Sequence, residues 1–334
     1  MADKPILEGE RIAKVIARAG LASRREAEAW IAAGRVAVNG KAITSPALNV
    51  GARDRITIDG APLPRRARTR LFLYHKPRGL VTSHSDPEGR PTIFAALPKH
   101  LPRLISVGRL DMNTEGLLLL TNDGGLARVL ELPATQWLRS YRVRALGRVT
   151  QDALDPLRKG ITIDGIRYGA IEATLDREQG ANVWLTFAIR EGKNREVRRV
   201  LEHLGLKVNR LIRVSYGPFE LGKLDDGDVK EIETAELRRI LGPEIARQAE
   251  ADFEAPLEGE QPRSPLIPAK AGIQKGRPEQ QGRAGSPLSR GRAGETTRAQ
   301  NKSRDEESKR KPLHNRRRRP DRSGGPRPSR PRPK

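Results

Sequence analysis

The sequence predicts an α+β fold of two ordered units followed by a long disordered basic tail at residues 251–334, on three observations. Between about residues 8 and 242 the apolar positions switch between helical and alternating spacing without a regular βαβ rhythm, which argues against a doubly wound sheet. Cap and hairpin signals close off a small first unit at residues 8–62. From Gln261 to Lys334 there are 22 Lys and Arg against 6 Asp and Glu, 11 of the 25 prolines and no aromatic residue, so this stretch lacks the apolar surface to offset its ordering entropy.

The first unit is strongly punctuated. Ile12, Val15, Ile16 and Ala19 recur at helical spacing before Gly20, a C-cap residue. Ser23 and Glu26 form the S-x-x-E of a capping box, opening a second helix that turns Ala27, Trp30 and Ile31 inward and stops at Gly34. Val36 and Val38 alternate into the hairpin pair Asn39-Gly40, and DRITIDG supplies another alternating strand. Arg24 and Arg25 fall in the first turn of the second helix, where the macrodipole disfavours cations; phosphate binding would explain them, and so would side chains reaching into water.

A basic link, residues 63–70, leads into a second unit at residues 71–242. LFLYHKP, WLRSYRVRALG and NVWLTFAIREG read as strands. In GRLDMNTEGLLLLTNDG, Leu117 to Leu120 form an apolar run between turn-prone segments, the pattern of a strand buried on both faces, with a turn at Asn122-Asp123-Gly124. An Asp on a loop held by such a strand is well placed for a cleft, and Asp111 is that residue. EGKNREVRRVLEHLG reads as an amphipathic helix, with Arg195, Arg198, Arg199 and Glu202 on one side and Val197, Val200, Leu201 and Leu204 on the other.

Composition narrows the function. A formal net charge of +23 points to a polyanionic partner, nucleic acid before anionic membrane. The absence of Cys excludes disulfides and thiolate chemistry, and the five His show no ligand-like spacing. No apolar run approaches the roughly 18 to 20 residues of a spanning helix, and MADKPILEGE has no signal-peptide core, so a cytoplasmic protein without a membrane partner is expected. An EF-hand reading of Asp111, Asn113, Glu115 and Gly116 fails because Asn122 stands where a bidentate Glu is needed. No P-loop occurs, and Asp111, Glu115 and Asp123 have no second acidic cluster to make a two-metal site.

Two stretches resemble known families. SRREAEAWIAAGRVAVNG is similar to S4 RNA-binding domains, which implies RNA contacts at Arg18, Arg24, Arg25 and Arg35. GRLDMNTEGLLLLTNDG closely resembles the catalytic motif of pseudouridine synthases of the RsuA/RluB/RluE/RluF family, over about residues 8–242. The resemblance implies a mixed, largely antiparallel catalytic sheet with flanking helices, no cofactor and no metal. It makes Asp111 the catalytic carboxylate, Tyr141 in SYRVRALG the ring that packs on the target base, and Arg198 the partner of Asp111. Arg109, Thr114, Lys193, Asn194, Arg195 and Arg199 are expected to contact RNA. Glu196 and Val200 depart from the family's usual Gln and Met. KPRGLVTSHSDPEGRPTIFAALP is similar to the RluB branch, which implies 23S ribosomal RNA or an assembling large subunit as partner and a monomeric enzyme. A 16S enzyme of the RsuA type and a noncatalytic RNA-binding or ribosome-assembly protein are the alternatives; RluE fits less well because it lacks the S4 domain.

Overall fold

The computed structural model describes residues 9–257. Helix α1 (Ile12–Arg18) buries Ile12, Ala13 and Ile16, and helix α2 (Arg24–Ala32) buries Ala27 and Ile31. The capping box at the start of α2 is formed: Glu26 N donates to Ser23 Oγ at 3.1 Å, and Ser23 N donates to Glu26 Oε2 at 2.6 Å. Strands β1 (Val36–Val38) and β2 (Lys41–Ile43) make the hairpin, and β3 (Ile56–Ile58) pairs antiparallel on the other side of β1. Asn39 and Gly40 both have positive φ, as the two-residue turn requires.

The second unit is built on a nine-stranded sheet. Its main strands are β4 (Leu71–Lys76), β5 (Glu115–Thr121), β6 (Arg139–Leu146), β7 (Ile171–Gln179), β8 (Asn182–Ile189), β9 (Lys207–Tyr216) and β10 (Val229–Glu231). The spatial order is β7-β8-β6-β9-β5-β4-β10. All these neighbours are antiparallel except β9 and β5, which meet in parallel at Ile212/Glu115 and Arg213/Gly116. The fold is therefore α+β with a mixed, largely antiparallel sheet.

Strand β5 occupies the middle of this sheet, and Leu117 to Leu120 are all fully buried. Leu118 and Leu120 point into the core with Tyr141, Val143, Leu185 and Phe187. Leu117 and Leu119 point the other way, against Leu126, Leu130, Leu237 and Leu241 of helices α3 (Gly124–Glu131) and α5 (Thr234–Ala249). Burying each such leucine stabilises the fold by about 2 kcal/mol, so four in a row fix the strand firmly.

Three expectations need correction. The turn at Asn122-Asp123-Gly124 is the start of α3. Asp123 is its N-cap, accepting from Gly125 N at 2.8 Å, with Arg66 Nη2 at 2.6 Å and Thr69 Oγ1 at 2.8 Å on its other oxygen. Arg66 and Thr69 belong to the 63–70 segment, which is thereby fastened to the start of α3. The chain also stays ordered past residue 242. Helix α5 continues through a break at Gly242-Pro243, and residues 251–257 pack back, Thr69 N donating to Asp252 O at 2.7 Å and Arg68 N to Pro256 O at 2.9 Å. The remainder of the expected tail, residues 258–334, lies outside the described residues.

Candidate active site

The loop after Arg109 is held from below. Lys76, the last residue of β4, is fully buried, and its ammonium donates to the carbonyls of Pro77 at 2.9 Å, Thr114 at 3.0 Å and Met112 at 3.4 Å. Thr114 N donates to Asp111 O at 2.9 Å, closing the turn. Burial pulls the Lys76 amine down to about 8, against the opposing attraction of Asp111, Glu115 and Asp226.

The next fixed point is Gly116. Its φ is +101°, and a Cβ there would lie 2.3 Å from Arg213 O and 2.7 Å from Arg213 N. Only glycine allows β5 and β9 to approach this closely. The same stretch of β9 carries a bulge where it pairs with β6, Val214 standing unpaired between the partners of Ser140 and Tyr141.

These elements enclose an inner pocket of about 80 Å³ lined by Asp111, Thr114, Tyr141, Val197, Arg198 and Leu211, among others. It opens into a groove of about 550 Å³. Asp111 is partly exposed, and its carboxylate forms no hydrogen bond or ion pair among the described residues. Tyr141 is 7% exposed and bounds both lobes.

Arg198 is buried in helix α4 (Glu196–His203), not displayed on an arginine face with Arg195 and Arg199. Its Nη2 donates to the carbonyl of Asn113 at 2.9 Å. The direct pair with Asp111 expected from the resemblance is absent, because the guanidinium is anchored on the loop backbone two residues along. Burial lowers the Arg198 pKa and neighbouring Arg195 lowers it further, while Asp111 opposes this. Glu196, the departure from Gln, turns inward: Lys193 N donates to its Oε2 at 2.7 Å, and burial raises its pKa. It braces the loop ahead of α4.

The other predicted contacts divide sharply. Arg109, Lys193, Asn194 and Arg195 are exposed on the groove, Arg195 in a left-handed conformation. Lys193 also donates to Arg167 O at 2.7 Å and pairs with Glu191. Thr114 is 2% exposed, so it belongs to the pocket interior and not to the surface. Arg199 is exposed but lies outside the residues lining either lobe. Arg24 and Arg25 are exposed on α2. Arg18 is engaged inside the fold, its Nη1 lying 2.7 Å from Glu250 Oε2 and 2.9 Å from Glu10 Oε1. Arg35 is exposed but forked onto Asp59, at 3.0 Å from Nε and 2.5 Å from Nη2.

Sequence reasoning missed Lys76, Arg139 and Arg213. Arg139 and Arg213 line the groove although they are almost fully buried. Arg139 Nη2 donates to Tyr216 Oη at 2.9 Å, and Arg213 Nε donates to Leu117 O at 2.7 Å. The signal was an arginine at an inward strand position, which carries meaning only once the strand's register is known. Two acids of the groove are occupied internally, Glu131 accepting from Gly108 N and Glu191 paired with Lys193. Arg90 is paired with Asp86 and Glu88, but Arg109, Arg139, Arg195 and Arg213 give the groove a cationic surplus suited to phosphates.

A family profile described as RNA pseudouridylate synthase matches residues 70–203, and an S4 domain profile matches residues 10–56. The chain is 48% identical over 222 residues to an RNA pseudouridine synthase of Rickettsia conorii, an alignment covering 66% of this chain and 96% of that protein. It is 44% identical over 245 residues to ribosomal large subunit pseudouridine synthase B of Pseudomonas aeruginosa, covering 71% and 63%. The corresponding enzyme of Pasteurella multocida is 40% identical over 262 residues, covering 75% and 76%. A solved pseudouridylate synthase, 29% identical, aligns with a TM-score of 0.48 over 69% of this chain and 99% of that one. With near-complete coverage of a relative at 48% identity, the chain belongs to the RNA pseudouridylate synthase family.

Proposed function

We propose that this protein isomerises one uridine of large-subunit 23S ribosomal RNA to pseudouridine, with Asp111 as the catalytic carboxylate. The observation that carries the reading is the unpartnered Asp111 carboxylate on a braced loop, sharing one pocket with Tyr141 and Arg198. The substrate assignment is supported by relatives at 40% and 44% identity named ribosomal large subunit pseudouridine synthase B.

The target uridine leaves its stack at a cost of a few kcal/mol, partly offset by packing on the Tyr141 ring. Asp111 acts on the nucleoside held there. The N1–C1′ bond breaks, the base turns, and a C5–C1′ bond forms while C5 gives up a proton and N1 gains one. No redox change or group transfer is needed. Arg198 keeps the loop in place and supplies positive charge beside Asp111. Arg109, Lys193, Asn194 and Arg195 hold the flanking backbone, and Arg24 and Arg25 capture RNA from the S4 domain. A ribosomal RNA substrate supports a cytoplasmic setting.

The test is a pseudouridine map of ribosomal RNA from cells lacking the protein, complemented with wild type or Asp111→Asn. One large-subunit site should vanish on deletion and return only with wild type. Restoration by Asp111→Asn would refute the role of Asp111, and a lost small-subunit site would replace 23S by 16S.

A further inference from the structure

The inner pocket holds two polar atoms that the free protein leaves unpaired. Thr114 is 2% exposed and its Oγ1 has no hydrogen-bond partner; Arg198 is 8% exposed and its Nε has none either. Both residues line the pocket with Asp111 and Tyr141. They share one wall, since Arg198 Nη2 donates to the carbonyl of Asn113, the residue before Thr114. The fold does not use the threonine hydroxyl: the loop is closed by Thr114 N on Asp111 O and braced by Lys76 on Thr114 O. A valine would fill the same space without leaving an unmet hydroxyl. Native proteins rarely leave buried polar atoms unpaired, and a site built to hydrogen-bond its substrate is a place where they do.

We infer that the Thr114 hydroxyl and the Arg198 Nε–H together hold a carbonyl oxygen of the target uracil, both before and after the base turns. This rests on the pocket being the uridine site. The arginine nitrogen can only donate and the hydroxyl can donate, so the pair calls for an acceptor. Small side-chain rotations of the kind common on binding bring both atoms to the ligand. The reason one donor pair serves the whole reaction lies in the symmetry of uracil. A half-turn about the N3–C6 axis exchanges N1 with C5, as the isomerisation requires, and at the same time exchanges O2 with O4. Donors that grip one carbonyl in the substrate therefore meet the other in the product. The detached base keeps an anchor while it turns. Cytosine, with an amino group at C4, cannot offer an acceptor at both positions.

The experiment measures single-turnover rates of wild type, Thr114→Val and Thr114→Ser on RNA carrying uridine, 2-thiouridine or 4-thiouridine at the target position. Thiocarbonyl sulfur is a weak acceptor. Thr114→Val should lose on the order of 10- to 100-fold on uridine RNA, and Thr114→Ser should recover most of it. Each thio substitution should slow wild type markedly and slow Thr114→Val much less, so that the two losses do not multiply. Losses that multiply for either thio substrate overturn the inference, as does a failure of Thr114→Ser to rescue. Thermal unfolding of Thr114→Val within a few degrees of wild type separates a lost contact from a lost fold. Absence of wild-type turnover on every uridine RNA would instead refute the site reading beneath it.

Discussion

Replacing Lys76 by methionine tests whether the Asp111 loop stands on a buried charge. The amine is fully enclosed and lowered from 10.5 to about 8, chiefly by desolvation. At about 1.4 kcal/mol per unit the shift corresponds to roughly 3 kcal/mol, reduced to roughly 2 kcal/mol once screening by the partly exposed loop above is allowed for. Because the folded pKa lies below the unfolded one, the unfolded chain binds more protons between those values. The cost of the charged amine is present in full below about pH 8, fades between 8 and 10.5, and is gone above. Wild-type stability relative to Lys76→Met should therefore rise by roughly 2 kcal/mol from pH 7.5 to 10.5, since the variant lacks this titration and all other groups cancel in the difference. Denaturant unfolding of both proteins across that range measures it. A difference that stays flat would show that Lys76 is not held as described. At pH 7.5 the same variant leaves three carbonyls without their shared donor, so turnover should fall even where the protein remains folded.

Three further outcomes follow from the geometry. Gly116→Ala should destabilise by roughly 3 kcal/mol, from a Cβ forced against the backbone of Arg213 at positive φ; an unchanged unfolding midpoint would contradict the close crossing. Arg24→Ala with Arg25→Ala should weaken RNA binding and lower the salt slope by about 1 to 2, and equal affinity would return both arginines to plain surface. Glu196→Gln keeps the oxygen that accepts from Lys193 N but removes a buried charge. Since burial raises the Glu196 pKa, its ionised form costs stability above that pKa, so the variant should be more stable than wild type at pH 7 and lose this advantage on acidification. Lower stability at pH 7 would refute the burial cost assigned to the Glu196 carboxylate.

What could be read from the chain depended on how local each signal was. The Ser23/Glu26 capping box, the Asn39-Gly40 hairpin and the doubly buried leucines were legible because each is decided by residues close in sequence. Asp123 was misread as part of a turn because an N-cap and a turn share the same residue types, and its partners Arg66 and Thr69 lie more than 50 residues away. Helical spacing put Arg198 with Arg195 and Arg199, but it could not show that the cleft lies where Arg198 points. Lys76 was hidden for a similar reason, since a lysine at the end of a strand normally reaches solvent. Its burial is imposed by a loop 35 residues further on.

The parallel contact at Gly116 and Arg213 has a consequence for how the protein comes into being. Strands β4 and β5 form one hairpin-like half of the sheet, while β6 to β9 form the other, and the contact joins them across almost a hundred residues. Asp111 arrives with the first half, and Tyr141 and Arg198 with the second. Neither half holds the whole pocket lining, and closing so long a span is a slow event in folding. On the proposed reading, the pocket is therefore assembled only once β9 has been made and has paired with β5.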